Sequence, residues 1–77
     1  MPIIDKTEIE YRFAYRKPGP EHQKAHEFTR AEYTRLAETM ARTLPESREK
    51  SLAITHLEES LFWANAAVAR NDLPTQE

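Results

Sequence analysis

With 77 residues, 13 acidic and 11 basic side chains, a net charge of −2 and no cysteine, the chain is one small domain that holds neither disulfides nor thiolate metal sites. So balanced a charge argues against a general nucleic-acid coat or a membrane-surface binder. A domain of this size buries only about 60% of its unfolded surface, which makes self-association the simplest further support. No apolar run approaches the roughly 20 residues that span a bilayer. The opening MPIIDKTEIE has no basic stretch followed by an apolar one. A soluble, unsecreted, cytoplasmic protein without a membrane partner is expected.

Residues 1–16 form an N-terminal arm in which Ile4, Ile9, Tyr11 and Phe13 suit either a short helix or an extended segment lying over a neighbouring subunit, and the pattern favours the short helix. The only glycine, Gly19, sits inside Lys17-Pro18-Gly19-Pro20, which breaks the chain and starts a helix at Pro20 or Glu21. From there to about Thr43 no proline or glycine intervenes, and Ala25, Thr29, Tyr33, Leu36, Met40 and Leu44 trace one face. Leu44-Pro45-Glu46-Ser47 ends this helix. Pro45 suits a first-turn position of the next helix, with Glu46 and Glu49 near its positive end. Asn71-Asp72-Leu73-Pro74 stops the second helix. The expected fold is all-α: an antiparallel helical hairpin of about 20–43 and 46–71 within a domain of 17–72, followed by a disordered tail at 73–77.

Read as a helix, residues 48–70 carry two apolar stripes. Ile54, Leu57, Leu61, Ala64 and Val68 recur at 3,4,3,4 spacing and form a seam that one neighbouring helix covers. Leu52, Trp63, Ala66 and Ala67 fall on roughly the opposite side, with Phe62 between the stripes. A two-helix chain offers one partner for two stripes, so Leu52, Phe62, Trp63 and Ala67 are expected to form the interface of a homo-oligomer.

Few residues suggest reaction chemistry. His22 and His26 have the four-residue spacing that places two imidazoles on one helix face for a metal, but the accompanying glutamate pattern is missing. They read as solvated side chains in the first turns of a helix, and His56 as a surface or interface residue. No nucleophile has a base and an orienting group, and no nucleotide-binding glycine loop is present. No enzyme activity, metal or cofactor is expected. Glu58 and Glu59 are expected to be solvated or paired with cations of the first helix, and Asn65, at the edge of the seam, to specify helix pairing or meet a ligand.

The halves of the chain differ in charge. Residues 1–42 hold eight basic groups against seven acidic, and residues 43–77 three against six, so an anion-binding surface belongs on the first half. There the arm EYRFAYRKPG combines Tyr11, Phe13 and Tyr15 with Arg12, Arg16 and Lys17. Aromatic rings stack on bases and guanidinium groups bond phosphate oxygens in pairs. The alternative is structural, with Tyr11 and Phe13 packed on the hairpin and the arginines bridging surface carboxylates.

Tyr15-Arg16-Lys17-Pro18, Arg30 fifteen residues after Tyr15, the run Pro45 to Ala53, and Leu57-Glu58-Glu59 through Trp63-Ala64-Asn65 together resemble the phage anti-CBASS sponge family. These are small helical-hairpin proteins that sequester the cyclic oligonucleotide signals of bacterial anti-phage defence. The resemblance covers roughly residues 15–71. It implies a homohexamer acting in the cytoplasm of an infected bacterium or encoded by a prophage. It also implies binding without hydrolysis of cyclic dinucleotides of the 3',3'-cGAMP type, and of cyclic trinucleotides. Tyr15 and Arg30 match the family's base-stacking tyrosine and phosphate-holding basic residue, and Arg70 is the candidate for a second, trinucleotide pocket, although Ala66 is another possible counterpart. No polymeric nucleic acid is implied. The competing reading is a protein-protein interaction module that grips its partner with the Leu52 and Trp63 stripe.

Overall fold

The computed structural model describes residues 4–74. Three helices and no strands are found among them: α1 (Lys6–Phe13), α2 (Pro20–Thr43) and α3 (Arg48–Arg70). The arm is therefore helical. Asp5 caps α1 by accepting the Glu8 amide at 2.8 Å, and Glu8 pairs with Arg12 one turn later at 2.7 Å. The part of the expected tail at 75–77, like residues 1–3 of the arm, lies outside the described residues, while Leu73 is half-buried.

Pro20 opens α2 at a first-turn position, behind Gly19 as N-cap. Gly19 has an ordinary negative φ of −76°, and a Cβ built on it meets nothing within 4 Å, so neither backbone conformation nor crowding demands glycine there. α3 begins later than the sequence suggests. Ser47, not a residue before Pro45, is its N-cap: the hydroxyl accepts the Lys50 amide at 3.1 Å and donates to the Pro45 carbonyl at 2.9 Å. Pro45 and Glu46 consequently lie in the turn rather than the first helical turn, because a serine oxygen satisfies an orphan amide that proline leaves bare. Glu49 does occupy the first turn.

α2 and α3 pack on each other over most of their length, as the two arms of the expected hairpin. Ile54, Leu57, Leu61, Ala64 and Val68 are all half-buried along this contact, as are Ala25, Thr29, Tyr33, Ala37 and Met40. Leu36 and Leu44, expected in the seam, are exposed. Leu36 and Ala37 lie at nearly equal angles on either side of the stripe, so spacing alone does not choose between them. The smaller alanine lets the helices approach on its side. Leu44 has left the helix as its extended C-cap.

Polar bonds fix the register at three levels. Tyr33 and Ser60 share a hydrogen bond of 2.6 Å near the middle, and His26 Nδ1 lies 3.1 Å from Asn65 Oδ1 nearer the open end. At the open end itself, His22 Nε2 donates to the Asn71 carbonyl at 3.0 Å. The histidines are therefore half-buried cross-links, not solvated side chains; their bonding partners stand 39 and 49 residues away in the sequence. At the closed end Lys50, whose side chain is only 11% exposed, donates to the Ala41 carbonyl at 2.9 Å and pairs with Glu46. It thereby occupies one of the carbonyls that the end of α2 leaves without a helical partner.

α1 is held differently. The Arg70 guanidinium lies 5.5 Å from the centre of the Tyr11 ring and donates to the Arg12 carbonyl at 3.4 Å, and Arg16 covers the same ring at 4.6 Å. Phe13 does not pack on the hairpin; it is 82% exposed.

The Lys50→Met variant, which keeps the stem and removes the charge and donor, is expected to lose about 1 kcal/mol, a fall in melting temperature of roughly 5 °C by circular dichroism. Glu46→Gln, altering a side chain that is 90% exposed, should change it little. Arg70→Gln is expected to loosen α1 alone. Amide hydrogen exchange at residues 9–13 should accelerate by about tenfold while exchange in the middle of α2 and α3 stays constant.

Candidate functional site

Where the last turn of α1 and the segment after it meet the open end of the hairpin, three segments surround a groove of about 350 Å³. Arg12, Ala14, Tyr15 and Arg16 contribute one wall, His26 of α2 another, and Asn65, Ala66, Ala69 and Arg70 of α3 the floor and far side. A second groove of about 230 Å³ adjoins it, lined by Arg16, Lys17, Pro18, Gly19, His22, His26 and Ala69. Arg16, His26 and Ala69 are common to both. Alanines at positions 66 and 69 keep the floor low, so the long side chains around it stand above an open trough.

Four of the five residues expected to bind ligand are thus gathered here. Tyr15, Arg16 and Arg70 share one groove, and Arg16 and Lys17 line the next. Tyr15 is 86% exposed and presents its ring to solvent. Arg30, the fifth, is exposed on α2 one turn beyond His26 and lines neither groove. Ala66, the other candidate for the second-pocket position, lies in the Tyr15 groove beside Arg70.

The charge around Tyr15 is uncompensated. Arg12 is paired with Glu8, but among the described residues Arg16, Lys17, Arg30 and Arg70 have no carboxylate within ion-pair distance. Lys24, Arg42 and Arg48 are also unpaired and stand outside both grooves. No acidic side chain lines either groove. Arg16 and Arg70 instead both stand against the Tyr11 ring. Two guanidinium groups drawn to one ring repel each other, and an anion bound beside them offsets that repulsion. The chemistry available is recognition: a flat surface for stacking beside donors for phosphate oxygens. The sequence signal for it was the interleaving of aromatic and basic residues in 11–17. The contributions of His26 and Ala69 carried no such signal, because the fold alone brings them there.

The other sequence expectations are met unevenly. Asn65 specifies the pairing through His26 and also borders the groove. His56 is a surface residue, 3.7 Å from Glu59. Glu58 is exposed and has no cation of α2 within ion-pair distance among the described residues. Leu52, Phe62, Trp63 and Ala67 are all exposed, Phe62 at 62% and Trp63 at 72%, so the second stripe of α3 is uncovered in the single chain. Among the described residues no group of three or more His, Cys, Asp or Glu side chains gathers as a metal site, and no helix is long and apolar enough to cross a membrane. A larger groove of about 750 Å³ lies on the other flank of the hairpin, around Phe28, Val68 and Leu73. Its lining is mostly apolar and its two charged residues, Glu21 and Lys24, are of opposite sign.

Comparison with curated proteins and with solved structures yields no match. Comparison with family models yields one, described as the Acb2/Tad1 hairpin domain, which matches residues 5–69 and so takes in α1, nearly all of the hairpin and every residue lining the two grooves except Arg70. With its helical hairpin and its match over most of the chain, this protein belongs to the Acb2/Tad1 hairpin-domain family.

Proposed function

We propose that this protein binds and sequesters cyclic oligonucleotide second messengers without hydrolysing them, and so blocks CBASS anti-phage defence in the cytoplasm of an infected bacterium. Its ligands are cyclic dinucleotides of the 3',3'-cGAMP type and cyclic trinucleotides. The observation that carries this reading is the exposed Tyr15 ring set beside Arg16 and Arg70, cations that no carboxylate among the described residues pairs with, in a chain of this family. Tyr15 stacks on a base, Arg30 with Arg16 and Lys17 holds phosphates, and Arg70, on the far side of the Tyr15 groove, is the candidate contact for cyclic trinucleotides.

The active form is a homo-oligomer, a hexamer, built through Leu52, Phe62, Trp63 and Ala67. In it the arm 1–16 and the hairpin domain 17–72 each supply residues to the site. The accessible surface of the chain, 6883 Å², exceeds by roughly 2,000 Å² what a compact monomer of this mass presents. That surplus supports assembly, since stable interfaces bury on the order of 800 Å² per partner. Assembly also gives Arg30 a route into the site. A cyclic dinucleotide is nearly two-fold symmetric, and an isologous interface offers one Tyr15 and one Arg30 to each half of it.

Titration calorimetry of the purified oligomer with 3',3'-cGAMP is expected to show saturable binding, with intact ligand recovered after denaturation. Absence of heat across a panel of cyclic di- and trinucleotides refutes the reading. Tyr15→Ala should weaken binding by about tenfold to a hundredfold, the loss of one stacked base. Light scattering should find a discrete oligomer, and Trp63→Glu should reduce its mass while helicity is retained. A monomer or an indefinite aggregate in the parent protein would instead favour a module that grips another protein.

A further inference from the structure

The geometry points to His26 as a specificity-determining residue of this site, whose Nε2 accepts a hydrogen bond from an N–H donor on a nucleobase edge. The inference rests on the proposed binding of cyclic nucleotides and goes further by assigning the contact that reads the base. The bond to Asn65 sets the chemistry. An amide oxygen can only accept, so at 3.1 Å from Asn65 Oδ1 it is Nδ1 that carries the proton. A neutral imidazole protonated at Nδ1 has its lone pair on Nε2, and among the described residues Nε2 has no partner. The ring is half-buried and borders both the Tyr15 groove and the Lys17 groove.

Side-chain acceptors are few in the site: the Asn65 amide oxygen is already engaged by His26, the Tyr15 hydroxyl stands at the tip of its ring, and of the two imidazoles only that of His26 borders the Tyr15 groove. The charged groups around His26 are Arg12 from α1, Arg16 and Lys17 from the segment before α2, His22 and Arg30 from its own helix, and Arg70 from α3, with Asn65 the only neutral amide. These are donors, or titrate to become donors, and they suit phosphate and carbonyl oxygens. The amino and imino N–H groups of purine edges need an acceptor. Tyr15 offers a face for stacking, and His26 on the neighbouring wall offers the lone pair. Asn65 therefore acts as a positioning residue, holding the imidazole in the tautomer that leaves Nε2 free to accept.

The sign of the pH dependence separates this role from a phosphate contact. Protonation turns Nε2 into a donor and adds a positive charge among arginines, so a base-reading His26 binds worse as pH falls. A phosphate-holding His26 binds better. The test is calorimetry of the intact protein with 3',3'-cGAMP at about pH 8 and about pH 5.5, the interval over which imidazoles take up a proton. Affinity of the parent protein is expected to fall by about tenfold across it, the value of one good hydrogen bond. In His26→Gln, whose amide oxygen can accept but does not titrate, the ratio of the two affinities should flatten relative to the parent's; His26→Leu should lose affinity at both. Because His22 lines one of the two grooves as well, the comparison with His26→Gln decides: a parent affinity that tightens at low pH relative to that variant overturns the assignment. So does a His26→Gln profile parallel to the parent's. Failure of the parent protein to bind at either pH overturns the proposed function itself, an outcome distinct from binding with the wrong profile.

Discussion

Two helices laid side by side can cover only one face of each other, and every larger feature of this molecule follows from that limit. The α2 and α3 seam brings its members to half-burial, and no described residue is fully buried. The radius of gyration, 16.1 Å, compares with about 11.5 Å for a compact domain of this length. With so thin a hydrophobic contact, polar bonds carry an unusual share of the register. The Tyr33–Ser60, His26–Asn65 and His22–Asn71 bonds and the Lys50 contact to α2 space themselves from one end of the hairpin to the other. Each is partly exposed and individually modest. Their value lies in specifying which turn of α2 meets which turn of α3, a choice the evenly spaced apolar stripe leaves loose.

The same thinness makes room for the grooves. A hairpin with a full third layer would have buried its open end; here only the last turn of α1 touches it, held by Arg70 on the Tyr11 ring and the Arg12 carbonyl, with Arg16 against the same ring. The residues that tether α1 are therefore also the ones left charged and unpaired around Tyr15. Structural attachment and anion recognition draw on the same side chains, and an anion arriving there meets cations already oriented by the ring they share.

How much of this was legible in the sequence depends on the distance over which the information acts. The breaks at Pro18-Gly19-Pro20 and Pro45, and the α3 seam from Ile54 to Val68, are local signals and were read correctly. Ala37 rather than Leu36 enters the seam because the two flank the line from Tyr33 to Met40, so the choice lies in how closely the helices approach. α3 starts later than its proline suggests because Ser47 supplies the capping bond. His22 and His26 looked like surface residues since nothing nearby in the chain reveals Asn71 or Asn65 as partners; their phase with Ala25 and Thr29 on the seam was the available hint. In the candidate site, the aromatic and basic arm was legible as composition, whereas the alanine floor and the shared role of His26 arise only when α1, α2 and α3 converge.

Pro18 and Pro20, on either side of a glycine whose backbone is in no unusual conformation, give the corner between α1 and α2 a further meaning. Each pyrrolidine ring locks its own φ, and each proline restrains the residue before it, Lys17 and Gly19 respectively. The bend is thus stiffened by covalent bonds rather than by packing, at a place where little packing is on offer. A guest entering beside Tyr15 finds the corner already narrowed to few shapes, and less of its binding energy is spent on freezing the chain that receives it.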